Sequence, residues 1–220
     1  MTESQSSRDK ILDVAEALFA QRGYAGVGLR QVAEAAGLVK SSLFHHFRGK
    51  AQLYAEVLGR VLVRIRERLD PVLESGTDTE RKLDRWVDAL IDALAEHPTT
   101  ARLLLRGLFE EDDFRADSVP EAEAVEETIA AILDGIQRLL KEGVDTGAFR
   151  EVSVPHTVQT LIGATVYHFA SGELGEGLLG RPLLSAEAVR RRKQELRDLL
   201  HHGLVGANRP RARSALEGRS

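Results

Sequence analysis

The sequence predicts an all-α protein, and three observations carry that prediction. Apolar residues recur at helical spacing from end to end, stretches of alternating polarity are few, and glycine or proline punctuates the stripes at Gly23, Gly37, Pro71, Pro98, Gly143 and Pro155. About nine helices result, divided between a three-helix head over residues 1–52 and a helical body over 53–205. Residues 206–220 have almost no apolar content and read as a disordered tail.

The first helix follows from Ile11, Val14, Ala15, Leu18 and Phe19, with Ser6 or Ser7 as its cap and Gly23 as its stop. The second starts near Leu29, buries Val32, Ala33 and Ala36, and breaks at Gly37. The third runs from about Lys40 to Phe47. A long fourth helix carries Leu53, Val57, Leu58, Val61, Leu62, Ile65 and Leu69 on one side until Pro71, and its length suits a connector between head and body. Leu83, Trp86, Val87, Leu90, Ile91 and Leu94 make the fifth, stopped at His97 and Pro98, and Leu103–Phe109 the sixth. The acidic stretch from Glu110 to Glu123 contains Pro120 and reads as a loop or broken helix. Val125, Ile129, Ile132, Leu133, Ile136 and Leu140 define the seventh, Pro155 opens the eighth, a Gly-rich stretch ends it, and the last runs from about Ser185 to Leu204.

Composition narrows the function classes. The absence of cysteine excludes thiolate zinc sites, thiol catalysis and disulfides, which fits a reducing compartment. The polar start leaves no signal-peptide core, and no apolar run approaches the roughly eighteen residues of a membrane span, so a cytoplasmic location with no membrane partner is expected. The net charge of −4 averages three unlike regions. Residues 1–60 hold 8 Lys+Arg against 6 Asp+Glu (+2), 61–189 hold 13 against 25 (−12), and 190–220 hold 9 against 3 (+6). A mildly basic head on an acidic body confines phosphate contact to the head.

The segment LRQVAEAAGLVKSSLFHHF joins two short helices across Gly37 by a turn too tight for anything but a sharp corner, the plan of a helix-turn-helix. With Val32, Ala33, Ala36, Leu38, Leu43 and Phe47 buried, Lys40, Ser41, Ser42, Phe44 and His45 point outward, toward a major groove. An ammonium, two hydroxyls and an imidazole are donors and acceptors suited to base edges and phosphates.

These residues resemble the TetR family of transcriptional regulators. The matching pieces are ILDVAEALFAQRGY, the AEAAG turn, LFHHF at the end of the third helix and the following GKAQLY, covering about residues 7–62. The resemblance implies that Arg30, Lys40, Ser41, Ser42 and His45 approach bases or neighbouring phosphates, that Phe44 packs on the DNA backbone, and that Lys50 sits on a phosphate, helped by the fourth helix's dipole. It also implies a homodimer through the last two long helices, a double-stranded operator, and a small-molecule effector in the body. Three positions depart from the family pattern. Val39 and Gly28 replace a capping Ser or Thr, and Phe44 replaces Tyr, so each loses a hydroxyl and the third helix loses a cap worth about 1 kcal/mol.

Candidate effector-binding residues are Trp86, Leu90, Leu105, Phe109, Ile132 and Tyr167, with Phe114 and His168 nearby; plain core packing is the competing reading for each. No metal or cofactor is expected. His45 and His46 are adjacent, diverge by about 100° on a helix and cannot readily chelate one ion. His46 reads as turned partly inward, and the His201–His202 pair as favourable charge at a helix end. Small residues Gly163, Ala164 and Ala170 suit close helix approach at a dimer face. A small helical hydrolase is the rival from another class, but the chain has no G-x-S-x-G, H-E-x-x-H or Walker A motif. An architectural DNA-binding protein is a second rival, for which so large an apolar-rich body would be superfluous.

Overall fold

The computed structural model describes residues 6–109 and 119–205, with the side chains of Leu108, Phe109 and Val205 outside the description. Phe114, the acidic run from Glu110 and the tail 206–220 lie outside the described residues, as does the Phe109 side chain. Among the described residues the chain is all-helical: α1 (Ser7–Arg22), α2 (Leu29–Ala35), α3 (Lys40–His46), α4 (Lys50–Leu73), α5 (Thr79–Glu96), α6 (Thr100–Phe109), α7 (Pro120–Asp145), α8 (Val154–Ala170), α9 (Glu173–Leu179) and α10 (Ala186–Leu200), closed by a π-helical turn at His201–Val205.

The helix ends have local causes. Ser6 caps α1, its hydroxyl accepting from the Asp9 N–H at 3.1 Å. Gly23 ends α1 at φ 72°, with its own N–H on the Phe19 carbonyl. After α2 the N–H of Leu38 bonds the Ala33 carbonyl at 2.9 Å and that of Gly37 the Glu34 carbonyl at 3.1 Å. This double closure requires the left-handed residue that Gly37 supplies at φ 69°. Asp78 and Ser185 cap α5 and α10 by accepting from the Arg81 and Ala188 N–H groups.

Three elements differ from the sequence reading. Pro71 does not stop α4, which continues to Leu73. The missing N–H removes one bond, to exposed Glu67, while the Glu74 N–H still reaches the Asp70 carbonyl. Pro120 opens α7 instead of breaking a loop, since the first helical position needs no N–H, and Glu121 and Glu123 there meet the positive end of the dipole. The Gly-rich stretch after α8 contains the extra helix α9, ended by left-handed Gly180.

One apolar cluster runs through head and body without a break, from Ile11, Phe19, Leu43 and Phe47 through Leu53, Tyr54 and Val61 to Trp86 and Leu94. Helix α4 is its axis, packing against α1 on the head side and α5 and α7 on the body side. The expected division at 52/53 falls inside α4. No helix among the described residues is long and apolar enough to cross a membrane.

Candidate nucleic-acid interface

Helix α3 has a single buried residue, Leu43, at 0% exposure; Phe47, just past its end, is 1% exposed. With Val32 and Ala33 of α2 these anchor the corner, and Ala36 and Leu38 are half-buried against them. Lys40, Ser41, Phe44 and His45 are exposed and Ser42 is half-buried, so the outward face is the expected one. The Lys40 ammonium lies 5.5 Å from the centre of the Phe44 ring, aligning both along the helix. His46 is exposed, against the expectation of an inward tilt. The chain turns extended at Phe47, which takes the core position in its place.

Two cations already have intramolecular partners. Arg30 bonds Glu34 one turn along α2 at 2.7 Å, which raises its pKa. Lys50, half-buried, sits 4.3 Å from the Tyr24 ring centre and 3.5 Å from the Ala25 carbonyl. The first turn of α4 is closed instead by Gln52, which accepts from the Arg48 N–H at 2.7 Å. Gln31 does the same for α2, accepting from Gly28 N–H at 3.1 Å, a cap that reading only the hydroxyl at position 28 misses. Exposed Arg48, just past the end of α3, is a further cation on this side of the head.

Polar contacts fasten the head to the body at several points. Buried Glu16 of α1 accepts from Arg60 at 3.0 Å and Arg64 at 2.8 Å on α4, and from Thr99 at 2.9 Å before α6. Burial raises its pKa, and the two guanidiniums and the hydroxyl outweigh that, leaving it lowered. Arg106 of α6 donates to the Ala20 and Gln21 carbonyls at the end of α1, at 3.2 and 3.1 Å. Gln52 of α4 donates to Glu121 in the first turn of α7 at 2.9 Å.

In the body, Trp86 and Leu90 are buried, and Leu105 and Ile132 are half-buried against the core. Trp86 Nε1 has no hydrogen-bond partner among the described residues. Tyr167 does not join them. It is 57% exposed, because α8 turns Val158, Leu161, Thr165, Val166 and Phe169 inward and Tyr167 falls on the opposite side. His168 is half-buried with Nε2 unpaired among the described residues; burial, then the nearby Arg192 charge, lowers its pKa to about 4. Along the seam between α5 and α10, Asp84, Asp88 and Asp92 meet His201, Arg197 and Lys193 at 2.9, 3.2 and 2.7 Å. Burial raises the Asp88 carboxyl, and the Arg197 and Lys193 charges offset only part of that.

Residues 11–57 match the model of the bacterial regulatory proteins of the tetR family, and residues 80–200 that of the tetracyclin repressor-like C-terminal domain. The HTH-type transcriptional repressor KstR2 of Mycolicibacterium smegmatis is 30% identical over 149 residues, 68% of this chain and 70% of that protein. Among solved structures, the ketosteroid transcriptional regulator KstR2 of Mycobacterium tuberculosis superposes with a TM-score of 0.74 at 21% identity, covering 92% of this chain and 97% of that one. AibR, in complex with isovaleryl coenzyme A and operator DNA, gives 0.71 at 14% identity, covering 88% and 97%.

Proposed function

Since the chain belongs to the tetR family of bacterial regulatory proteins, we propose that it is a homodimeric repressor whose α3 helices read a pseudo-palindromic operator and whose body binds a small-molecule effector that releases it. The observation that carries this reading is the reading face of α3, where Lys40, Ser41, Phe44 and His45 stand in solvent while Leu43 and Phe47 fix the helix to the core. One such helix reads only a few base pairs; two heads about one DNA turn, roughly 34 Å, apart read both halves of a palindrome. Arg30, Ser42 and Lys50 join the contact by exchanging Glu34, local packing and Tyr24 for phosphates.

The dimer forms through the two long helices α8 and α10. Leu199 stands 66% exposed on α10, and Gly163 is exposed on α8, with open space where a side chain would be. The head extends to about residue 52 and the effector-binding and dimerisation body over 53–205. The effector lies against Trp86, Leu90, Leu105 and Ile132, with Phe109 at the end of α6. Because α4 belongs to both regions and Glu16, Arg106 and Gln52 tie it and α1 to α6 and α7, a ligand wedged into the body tilts α4 and shifts the heads to a spacing that mismatches the operator. AibR, of the same fold and in complex with isovaleryl coenzyme A and operator DNA, supports that division of labour.

The test is footprinting on the DNA upstream of the protein's own gene, with and without excess unrelated DNA. A two-fold symmetric protected site that survives competition is the expected result. Protection that competitor abolishes, with strong salt dependence and no sequence preference, would overturn the reading in favour of an architectural role. An effector that binds the body without changing operator affinity would remove the release mechanism, because coupling is reciprocal.

A further inference from the structure

Val39 is an anomaly in the head. It is the N-cap of α3, with extended backbone (φ −77°, ψ 150°) and no side-chain bond to the helix. Cap positions favour Ser, Thr, Asp or Asn, which close one of the open N–H groups; valine does not. Its side chain is also 67% exposed and takes no part in the core around Leu43 and Phe47. The position therefore sacrifices a cap and places a β-branched apolar group in water, and nothing in the packing of the head compensates.

What compensates is a partner. The amino end of a reading helix is the part that meets base edges in the major groove, and the one apolar group displayed there by normal base pairs is the thymine 5-methyl. Lys40, the next residue, leans along the helix toward Phe44 and leaves the end of α3 to Val39. Phe44, the other large exposed apolar side chain among the described residues of the head, lies a turn further on with the Lys40 ammonium over its ring. We propose that Val39 is a specificity-determining residue that packs its methyls on a thymine 5-methyl, one in each half of the operator. This rests on the reading that α3 binds operator DNA, and it names the base and the group by which one position is recognised.

The test starts from the sequence that the full-length protein selects out of randomised duplex DNA. Each thymine of the selected site is replaced symmetrically by deoxyuridine, which deletes the 5-methyl and leaves every hydrogen-bonding edge intact. One symmetric pair is expected to weaken the wild type about fourfold per methyl and about fifteenfold together, from ~0.8 kcal/mol per buried methyl-sized group. Val39→Ser is expected to melt at a higher temperature, because it restores a cap, and to be indifferent to the same replacement, so its loss of discrimination cannot be misfolding. The proposal is overturned if no deoxyuridine weakens the wild type, or if Val39→Ser suffers the same loss at the same thymines. If no sequence is selected at all, the operator-binding reading falls and takes the proposal with it.

Discussion

The reading face of α3 and the seam between α5 and α10 use charge in opposite ways. Along the seam Lys193 pairs with Asp92 and Arg197 with Asp88, and His201 hydrogen-bonds Asp84, all between helices distant in sequence. On α3, Lys40 and His45 have no ion pair to any described residue, and Lys40 rests only on an aromatic ring. Charge matched inside the molecule holds helices together. Charge left unmatched on an anchored helix waits for something outside. The head-body junction belongs with the seam, because Glu16 is buried between two guanidiniums.

If that division is right, removing matched charge costs folding and removing unmatched charge costs binding. The largest effect is expected at Glu16→Ala, which leaves partly buried Arg64 without its acid and Arg60 with Asp13 alone; it should destabilise by about 3 kcal/mol, read as the urea midpoint. A midpoint unchanged within error would put the junction on the side of surface pairs. Lys40→Ala and His45→Ala should each weaken operator binding by about 1 to 3 kcal/mol and relax sequence preference, with the urea midpoint shifted by less than about 0.5 kcal/mol. Equal loss on operator and unrelated DNA would show that neither side chain reads bases.

Lys50 falls between the two classes, since its ammonium already sits on Tyr24. Lys50→Ala should weaken all sequences alike and lower the slope of log K against log salt by about 1, with about 0.5 kcal/mol of stability lost with the ring contact. An unchanged salt slope would assign Lys50 to the fold alone. The smallest effect concerns His168. Its folded pKa of about 4 lies below the ordinary 6.5, so the unfolded chain takes up a proton that the folded protein refuses, and stability falls as pH drops from about 6.5 to about 4. His168→Gln should flatten that part of the stability-pH curve relative to wild type, and parallel curves for the two proteins would refute the assignment.

Much of the head was legible because its signals are local. Gly37 forces a left-handed turn, Leu43 and Phe47 share one apolar stripe, and a serine stands one turn before Asp9. Spacing failed where an element ends or a side chain is long. His46 reads as turned partly inward, yet the helix stops there and leaves it exposed. Aromatic character groups Tyr167 with Trp86, although on α8 it lies opposite the inward row. Pro71 and Pro120 have the same chemistry and different consequences, decided by whether the missing N–H falls near the end or at the start of a helix.

The sequence by itself determined the helices, the corner at Gly37 and the outward face of α3, because hydrogen bonds between residues three to five apart and a 3.6-residue period settle those without reference to the rest of the chain. Only the tertiary structure decided which acid each cation meets. Glu16 finds Arg60 and Arg64, and Lys193 finds Asp92 a hundred residues away. Long flexible side chains reach whatever packing brings near, and packing is set by the whole core at once.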